Sequence, residues 1–440
     1  MTMFVSHAVV DITPEAGFPM GGYGGSSARF STGVYDSLRA RCVVLWDDGV
    51  PRIIVSADIL GWPRAMFQAI RQGIVDQNQV DNANIILVGT HTHNGPALEN
   101  TPDAAITYGV DPTTLTAYGT WLQSRIGDLV NMALGAPQIP CTIDYRVTSQ
   151  TWSANREGLL YTETAVPVIV ARDGTGIPRA IVFSYGCHPV VAGSQTLWDG
   201  DYPATACAVI EAAIPGCVAL FLPGAFGDQD PVGSRGLALR NTRGVQLGSA
   251  VVAATESPGR PVAGPVVTSY QEVDLPLDVT SNPVNLAAVR AVYQARMAAP
   301  GLPSWYARHA QAMIERIDAG DIETTVPLPL QVWRLQGTPD LRICVTGGEL
   351  VSGYAVYFRA QFGGVAGLMI GGGAEVECYV PSNELLPPIR IGGSYAGGWD
   401  TDYPGVAGGS QTIYPHLGHF RSGVSGVENT LITALTAQLT

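Results

Sequence analysis

No lysine occurs in the 440 residues, so all 24 cationic side chains other than histidine are arginine. Schiff-base and lysine-nucleophile chemistry are thereby excluded. Cysteine is scarce and scattered: Cys42, Cys141, Cys187, Cys207, Cys217, Cys344 and Cys378 are odd in number and form no C-x-x-C pair. They imply neither a thiolate zinc cluster nor a disulfide framework, and read as small buried hydrophobes. Charge is also sparse, at 14% of residues, with a net of −13 and no basic run. An acidic surface repels phosphate backbones and anionic headgroups, which argues against nucleic-acid partners and stable membrane association. No apolar stretch reaches transmembrane length without interruption, and the opening MTMFVSHAVVDITPEAG lacks the basic and apolar regions of a signal peptide. The expectation is a soluble cytoplasmic protein. Its oligomeric state is left open, a homo-oligomer included.

What the chain does have is apolar material, 46% of residues, enough for a large core. Strand-like runs occur at 42–45, 52–56, 85–88, 166–170, 180–184, 218–222 and 341–345, with helical patterns at 66–75, 115–134, 204–213 and 243–253. This alternation predicts an α/β fold of layered mixed β-sheets flanked by helices. Pro167 is expected at a sheet edge or as the first residue of its strand. The 52 glycines and 31 prolines are spread as turn punctuation, and there is no repeat or low-complexity linker, so a single domain over 1–440 is expected. One insertion stands apart at 283–320. Leu286, Val289 and Tyr293 share a helical face in 283–296, and Tyr306, Ala310, Met313 and Ile317 share one in 304–317, joined by a Pro-Gly-Leu-Pro connection at 300–303. This is a helical hairpin, either a covering layer on the core or a lid or dimer arm.

The residues that carry chemistry lie mostly at strand ends. Gly89-Thr90-His91-Thr92-His93-Asn94-Gly95-Pro96 follows the run 85–88. Residues two apart on a strand face one side, so His91 and His93 can converge on a cation; they can equally be loop histidines with local hydrogen bonds. His188 follows the run 180–184 in Gly186-Cys187-His188-Pro189 and reads as a ligand or a structural histidine. Glu349 ends the run 341–345 beyond two glycines, as a metal ligand or a helix N-terminal charge. Tyr379, in Cys378-Tyr379-Val380-Pro381, reads by itself as a sheet tyrosine. Asp228 and Asp230 follow the run 218–222 and are either catalytic acids or turn formers, while Asp201 either caps the helix near Ala204 or takes part in catalysis. Arg156 is an isolated loop cation. Strand ends of α/β sheets are where such sites assemble.

Taken in order, Asp11-Ile12-Thr13-Pro14 with Met20-Gly21-Gly22-Tyr23, Val55-Ser56-Ala57-Asp58, the THTHNGP element, Asn155-Arg156, Cys187-His188-Pro189, Gly227-Asp228-x-x-Pro231, Gly348-Glu349 and Tyr379-Val380-Pro381 resemble the neutral, non-lysosomal ceramidases. The resemblance runs from the N-terminus to about Tyr403. It implies a zinc ion on His91, His188, Glu349 and Tyr379, with His93, Arg156 and Tyr395 lining the pocket. The chain departs from the pattern where those enzymes carry serine in Gly-Asp/Asn-x-Ser-Pro, because Asp230 stands there. It also ends at Thr440, without room for their further C-terminal domain, and begins without a secretion signal.

Two imidazoles, a carboxylate and a phenolic oxygen can hold Zn²⁺ with a position left for water. The expectation is therefore a zinc amidohydrolase acting on a small N-acyl amide and not on ceramide itself, with an ester or lactone as the alternative substrate. Asp228, Asp230 or His93 would move the proton, and Arg156 or Tyr395 would fix the substrate or its oxyanion. A binuclear metallophosphoesterase using Asp58 and Asp228, and a non-catalytic binding protein, are the other readings.

Overall fold

The structure, a computed structural model, describes residues 3–279, 285–362 and 367–440. Twelve strands form its main sheet: β1 Met3–Asp11, β2 Arg39–Asp47, β3 Val50–Ala57, β4 Ile85–Gly89, β5 Ile139–Ser149, β6 Ala165–Asp173, β7 Pro178–Tyr185, β8 Val218–Pro223, β9 Arg260–Pro276, β10 Thr325–Gly337, β11 Leu341–Thr346 and β12 Leu368–Gly371. The helices are α1 Arg64–Asn78, α2 Thr116–Gly135, α3 Asp201–Ala213, α4 Leu237–Glu256, α5 Leu286–Ala298, α6 Ser304–Ala319, α7 Ser352–Gln361 and α8 Val427–Leu439. The order is β12-β11-β10-β9-β5-β1-β2-β3-β4, with β6, β7 and β8 branching from β5. The expected strand runs all fall inside these elements, and the helical patterns at 66–75, 204–213 and 243–253 do too, while that at 115–134 begins one residue before α2.

The sheet is mixed. Its parallel pairs are β3–β4, β7–β8 and β11–β12. It also folds over on itself: β4 and β12 close opposite ends of the strand order, yet Gly89 N–H bonds to the carbonyl just beyond β12, that of Gly373 (3.0 Å). Gly372 N–H reaches Gly224 O (3.2 Å) and Gly373 N–H reaches Gly348 O (3.0 Å), which ties the ends of β4, β8, β11 and β12 together.

Burial on both faces explains why these strands read as continuous apolar runs. Along β6 and β7, Ile169, Ala171, Ala180 and Val182 point into the main core with α1 and α2. Their neighbours Val168, Val170, Ile181 and Phe183 face α3 and α4 instead. Pro167 is not at a sheet edge, nor first in its strand. It is the third residue of β6, which pairs on both sides, but pairing with β7 begins only at Val168, so no ladder bond from residue 167 to β7 is missing.

The hairpin is present as α5 and α6, packed on a third core with α7 and α8. Tyr293, Ala310 and Met313 are buried as the helical pattern predicts. Pro283, where the expected hairpin begins, lies outside the described residues. α5 also buries Arg296, whose guanidinium bonds to His309 Nδ1 (2.8 Å) and lies against the rings of Tyr293, Tyr306 and Tyr403.

Candidate metal centre

The three parallel strand pairs end in one place, and the candidate residues follow their carboxyl ends. His91 and His93 follow β4, His188 follows β7, Asp228 follows β8 and Glu349 follows β11. This is the crevice in which open α/β sheets place their sites. The convergence of His91 and His93 is not due to strand alternation, because β4 ends at Gly89. His91 instead adopts a left-handed conformation, φ 69°, held by its N–H to Ile59 O (2.9 Å). Such a backbone is uncommon for a residue with a side chain and is concentrated at functional sites.

Glu349 is delivered by a tight turn. Gly348 has φ 70°, and a Cβ there would lie 2.7 Å from Val380 Cγ2 and 2.9 Å from Cys378 O. The turn feeds Glu349–Leu350, a two-residue strand parallel to Tyr379–Val380, and the register sets Glu349 beside Tyr379. Paired residues of a ladder project to the same side, so the carboxylate and phenol share a face.

Proton positions follow from the acceptors. His91 Nδ1 donates to Leu60 O (2.7 Å), His93 Nδ1 to Gly22 O (2.7 Å) and His188 Nδ1 to Phe226 O (3.3 Å). A carbonyl only accepts, so each neutral ring carries its proton on Nδ1 and presents a bare lone pair at Nε2. His91 Nε2 and His188 Nε2 are 3.2 Å apart, and Glu349 Oε2 lies 3.5 Å from each. Three atoms able to ligate a cation face one another. Burial holds His188 well below the usual histidine pKa, and Arg156 adds to the effect. His93 is likewise pushed well down, by burial and then by His91.

A cation resolves this arrangement. Zinc bonds of about 2.0–2.1 Å to nitrogen and oxygen give tetrahedral edges of about 3.3–3.4 Å, close to the sides of the triangle. The donation of each Nδ1–H to a carbonyl is the usual outer support of a ligating histidine. The three imidazoles also form a group, their donor atoms all within 4.8 Å of one another. We give more weight to the tighter triangle with Glu349, whose sides match a single ion. His93 Nε2 flanks it and, like Glu349 Oε2, is buried without a hydrogen-bond partner.

The other candidates divide. Tyr379 is brought in: its hydroxyl accepts from Arg156 Nη2 (2.8 Å) and its ring stacks on His188, centroids 6.5 Å apart. Burial pushes its phenol well above the usual value. Arg156 also donates to Gly227 O (2.8 Å) and Asp230 Oδ1 (3.2 Å) and lies against the ring of Tyr395 (5.5 Å). Asp230 is clamped on its other oxygen by Arg235 (2.6 Å) and keeps a quarter of its side chain exposed. Arg156 and Tyr395 also line a cleft of about 530 Å³ whose walls include Tyr306, Arg390, Asp400 and, from the hairpin connection, Leu302.

Asp228 and Asp201 do structural work. Asp228 is fully buried, and its carboxylate accepts from Asn155 Nδ2 (2.7 Å), Ser352 N (2.7 Å) and Ser352 Oγ (2.9 Å), holding the first turn of α7. Both oxygens are engaged, and three of the carboxylate's roughly four acceptor positions hold this turn. Asp228→Ala strands three donors and is expected to lower stability by roughly 2–4 kcal/mol, read by denaturant unfolding. A folded variant of wild-type stability and lost turnover would contradict this structural assignment. Asp201 stands at the start of α3, where its carboxylate accepts from Tyr202 N (2.7 Å) in the first turn; it also accepts from the N–H groups of Val191 (3.2 Å) and Ala192 (2.9 Å) and holds the loop after His188.

Tyr414 escaped the sequence reading. Its buried hydroxyl donates to Glu349 Oε1 (2.8 Å), leaving Oε2 for the histidine pair. It lies 65 residues beyond Glu349 in a segment with no motif to flag it.

This chain has a ceramidase-like fold. The neutral ceramidase from Pseudomonas aeruginosa superposes with a TM-score of 0.66 at 17% identity, over 94% of this chain and 72% of that one. A ceramidase complexed with C2 gives 0.66 at 15% identity, over 94% and 73%. The sequence matches no family model and no curated protein.

Proposed function

We propose that this protein is a zinc-dependent hydrolase that cleaves the amide bond of a small N-acyl molecule. The observation that carries the reading is the tight triangle formed by His91 Nε2, His188 Nε2 and Glu349 Oε2. Tyr379 supplies the fourth ligand. Zinc in such a donor set lowers the pKa of water to about 7 and polarises a carbonyl. The chain's own groups do the rest. His93 Nε2, an open acceptor beside the ligands, takes the water proton and returns it to the leaving nitrogen. Arg156 braces Tyr379 and, with Tyr395, orients the substrate in the cleft. Asp230 keeps the guanidinium of Arg156 in place.

Neither Asp58 nor Asp228 joins the histidines. Asp58 accepts from Arg39 N (2.9 Å) and pairs with Arg41 (3.6 Å), which supports one ion over a binuclear phosphoesterase site. We place the protein in the cytoplasm, in keeping with its seven buried free thiols. No helix among the described residues is long and apolar enough to cross a membrane.

The test is elemental analysis together with a panel of acyl amides, esters and lactones on the zinc-loaded protein. About one zinc per chain and preference for a small amide over detergent-dispersed ceramide are expected. Two tightly held ions, no transition metal, or turnover confined to phosphoesters would remove the reading.

A second expectation follows from the histidine pKa values. His188 and His93 are held well below 6.5, so they are already neutral in the metal-free fold at pH 6. Zinc binding at pH 6 should therefore release less than about one proton per ion, measured by titration calorimetry in buffers of different ionisation enthalpy. Release of two or more would mean that His188 is charged until the metal arrives or that Tyr379 binds as a phenolate.

A further inference from the structure

Among the described residues, the hydroxyl of Tyr23 is a buried polar group beside the site to which the ligand set and its supports give no task. It has no hydrogen-bond partner among the described residues. Buried polar groups are nearly always paired, so an orphan next to a reactive cluster calls for a partner from outside the chain. His93 Nε2 is also buried and unpartnered. The two rings meet edge to face, with centroids 5.2 Å apart.

The backbone is built to hold them there. Gly22 has φ 95°, and a Cβ at that position would lie 2.5 Å from His93 Cα, so only glycine allows the contact that brings Gly22 O to His93 Nδ1. Tyr108 hydroxyl accepts from Gly22 N (2.8 Å) and fixes the same turn. Arg29 lies against the Tyr23 ring (5.0 Å) and donates to Gly21 O, to His93 O (2.6 Å) and to Asn94 Oδ1 (2.6 Å). One guanidinium thus staples the turn carrying Tyr23 to the segment carrying His93. Burial, with Asp201 adding, pushes the phenol up, so it is a donor at neutral pH.

We propose that Tyr23 contacts the substrate, its hydroxyl donating to an oxygen of the amide substrate beside His93 Nε2, which stays free to take the water proton. This rests on the hydrolase reading above.

Tyr23→Phe keeps the ring against Arg29 and His93 and removes only the oxygen. Its zinc content and Tm should equal those of the wild type, while kcat/KM for the best small amide falls about tenfold or more. Wild-type kcat/KM in Tyr23→Phe, with or without a lowered Tm, would overturn the inference and leave the hydrolase reading standing. A wild-type protein inert toward the whole amide, ester and lactone panel would remove both. If Tyr23→Phe does not fold, 3-fluorotyrosine at position 23 tests the same bond. Its more acidic phenol should change the rate, and an unchanged rate would overturn the inference.

Discussion

His188→Ala is expected to release the zinc and abolish measurable hydrolysis, a loss of at least about 10³-fold in kcat/KM. Removing this imidazole deletes one corner of the triangle and leaves His91 Nε2 and Glu349 Oε2 3.5 Å apart with a single ring to hold an ion. His188 is also fully enclosed, its ring between Phe226 at 5.2 Å and Tyr379 at 6.5 Å, so water in the vacated space cannot reproduce both its lone pair and its packing. His93→Ala tests the division of roles. Its Nε2 flanks the triangle without completing it, so that variant should keep about one zinc and lose rate. Elemental analysis alongside initial rates checks both. If His93→Ala also loses the metal, the three-imidazole group is the true ligand set and the role of Glu349 must be revised.

The second large effect belongs to Arg156. Its guanidinium makes three bonds in different directions, to Tyr379 Oη, Gly227 O and Asp230 Oδ1. Lysine cannot reproduce that fork even though it keeps the charge. Arg156→Lys should keep its zinc and lose about 10²-fold in kcat, the order seen when one positioned donor is removed from a reactive centre. Asp230→Asn should cost less, because Gly227 and Tyr379 still hold the guanidinium. A full rate in Asp230→Asn would show that Asp230 only bridges Arg156 and Arg235. An Asp230→Asn rate below that of Arg156→Lys would mean that the carboxylate itself moves a proton. In that case oxygen-18 water in a single turnover distinguishes general base from nucleophile, since only a nucleophile would carry label into the protein carboxylate.

Seven strands, β2, β3, β4, β6, β7, β8 and β11, were legible because they are mostly buried on both faces, whereas β5 and β9 carry half-exposed patterns. β6 from Ala165 to Ala171 and β7 from Ala180 to Phe183 are apolar at every position, one side in the main core and the other toward α3 and α4, and such runs are unmistakable in a sequence. The strand-end setting of His91, His188 and Glu349 was legible for a related reason: parallel strands finish at one edge, and glycine-bearing turns mark that edge. Their convergence was not legible from local pattern, since it depends on the sheet folding over until the ends of β4, β8, β11 and β12 are bonded together.

The roles of the acids were decided by tertiary structure alone. Asp228 and Asp230 are two residues apart in one acidic turn, yet Asp228 is sealed against Asn155 and Ser352 while Asp230 stands between two arginines at the surface. Composition cannot separate them, because the helix start at Ser352 and the guanidinium of Arg156 that divide them lie more than seventy residues away in the chain. Tyr23 and Tyr414 illustrate the same limit. The sequence by itself determined the strands, the glycine turns and the histidines placed after them. Only the closed sheet decided which hydroxyl supports Glu349 and which is left without a partner, because a hydrogen bond is a property of two atoms brought together and not of either residue's neighbours in the chain.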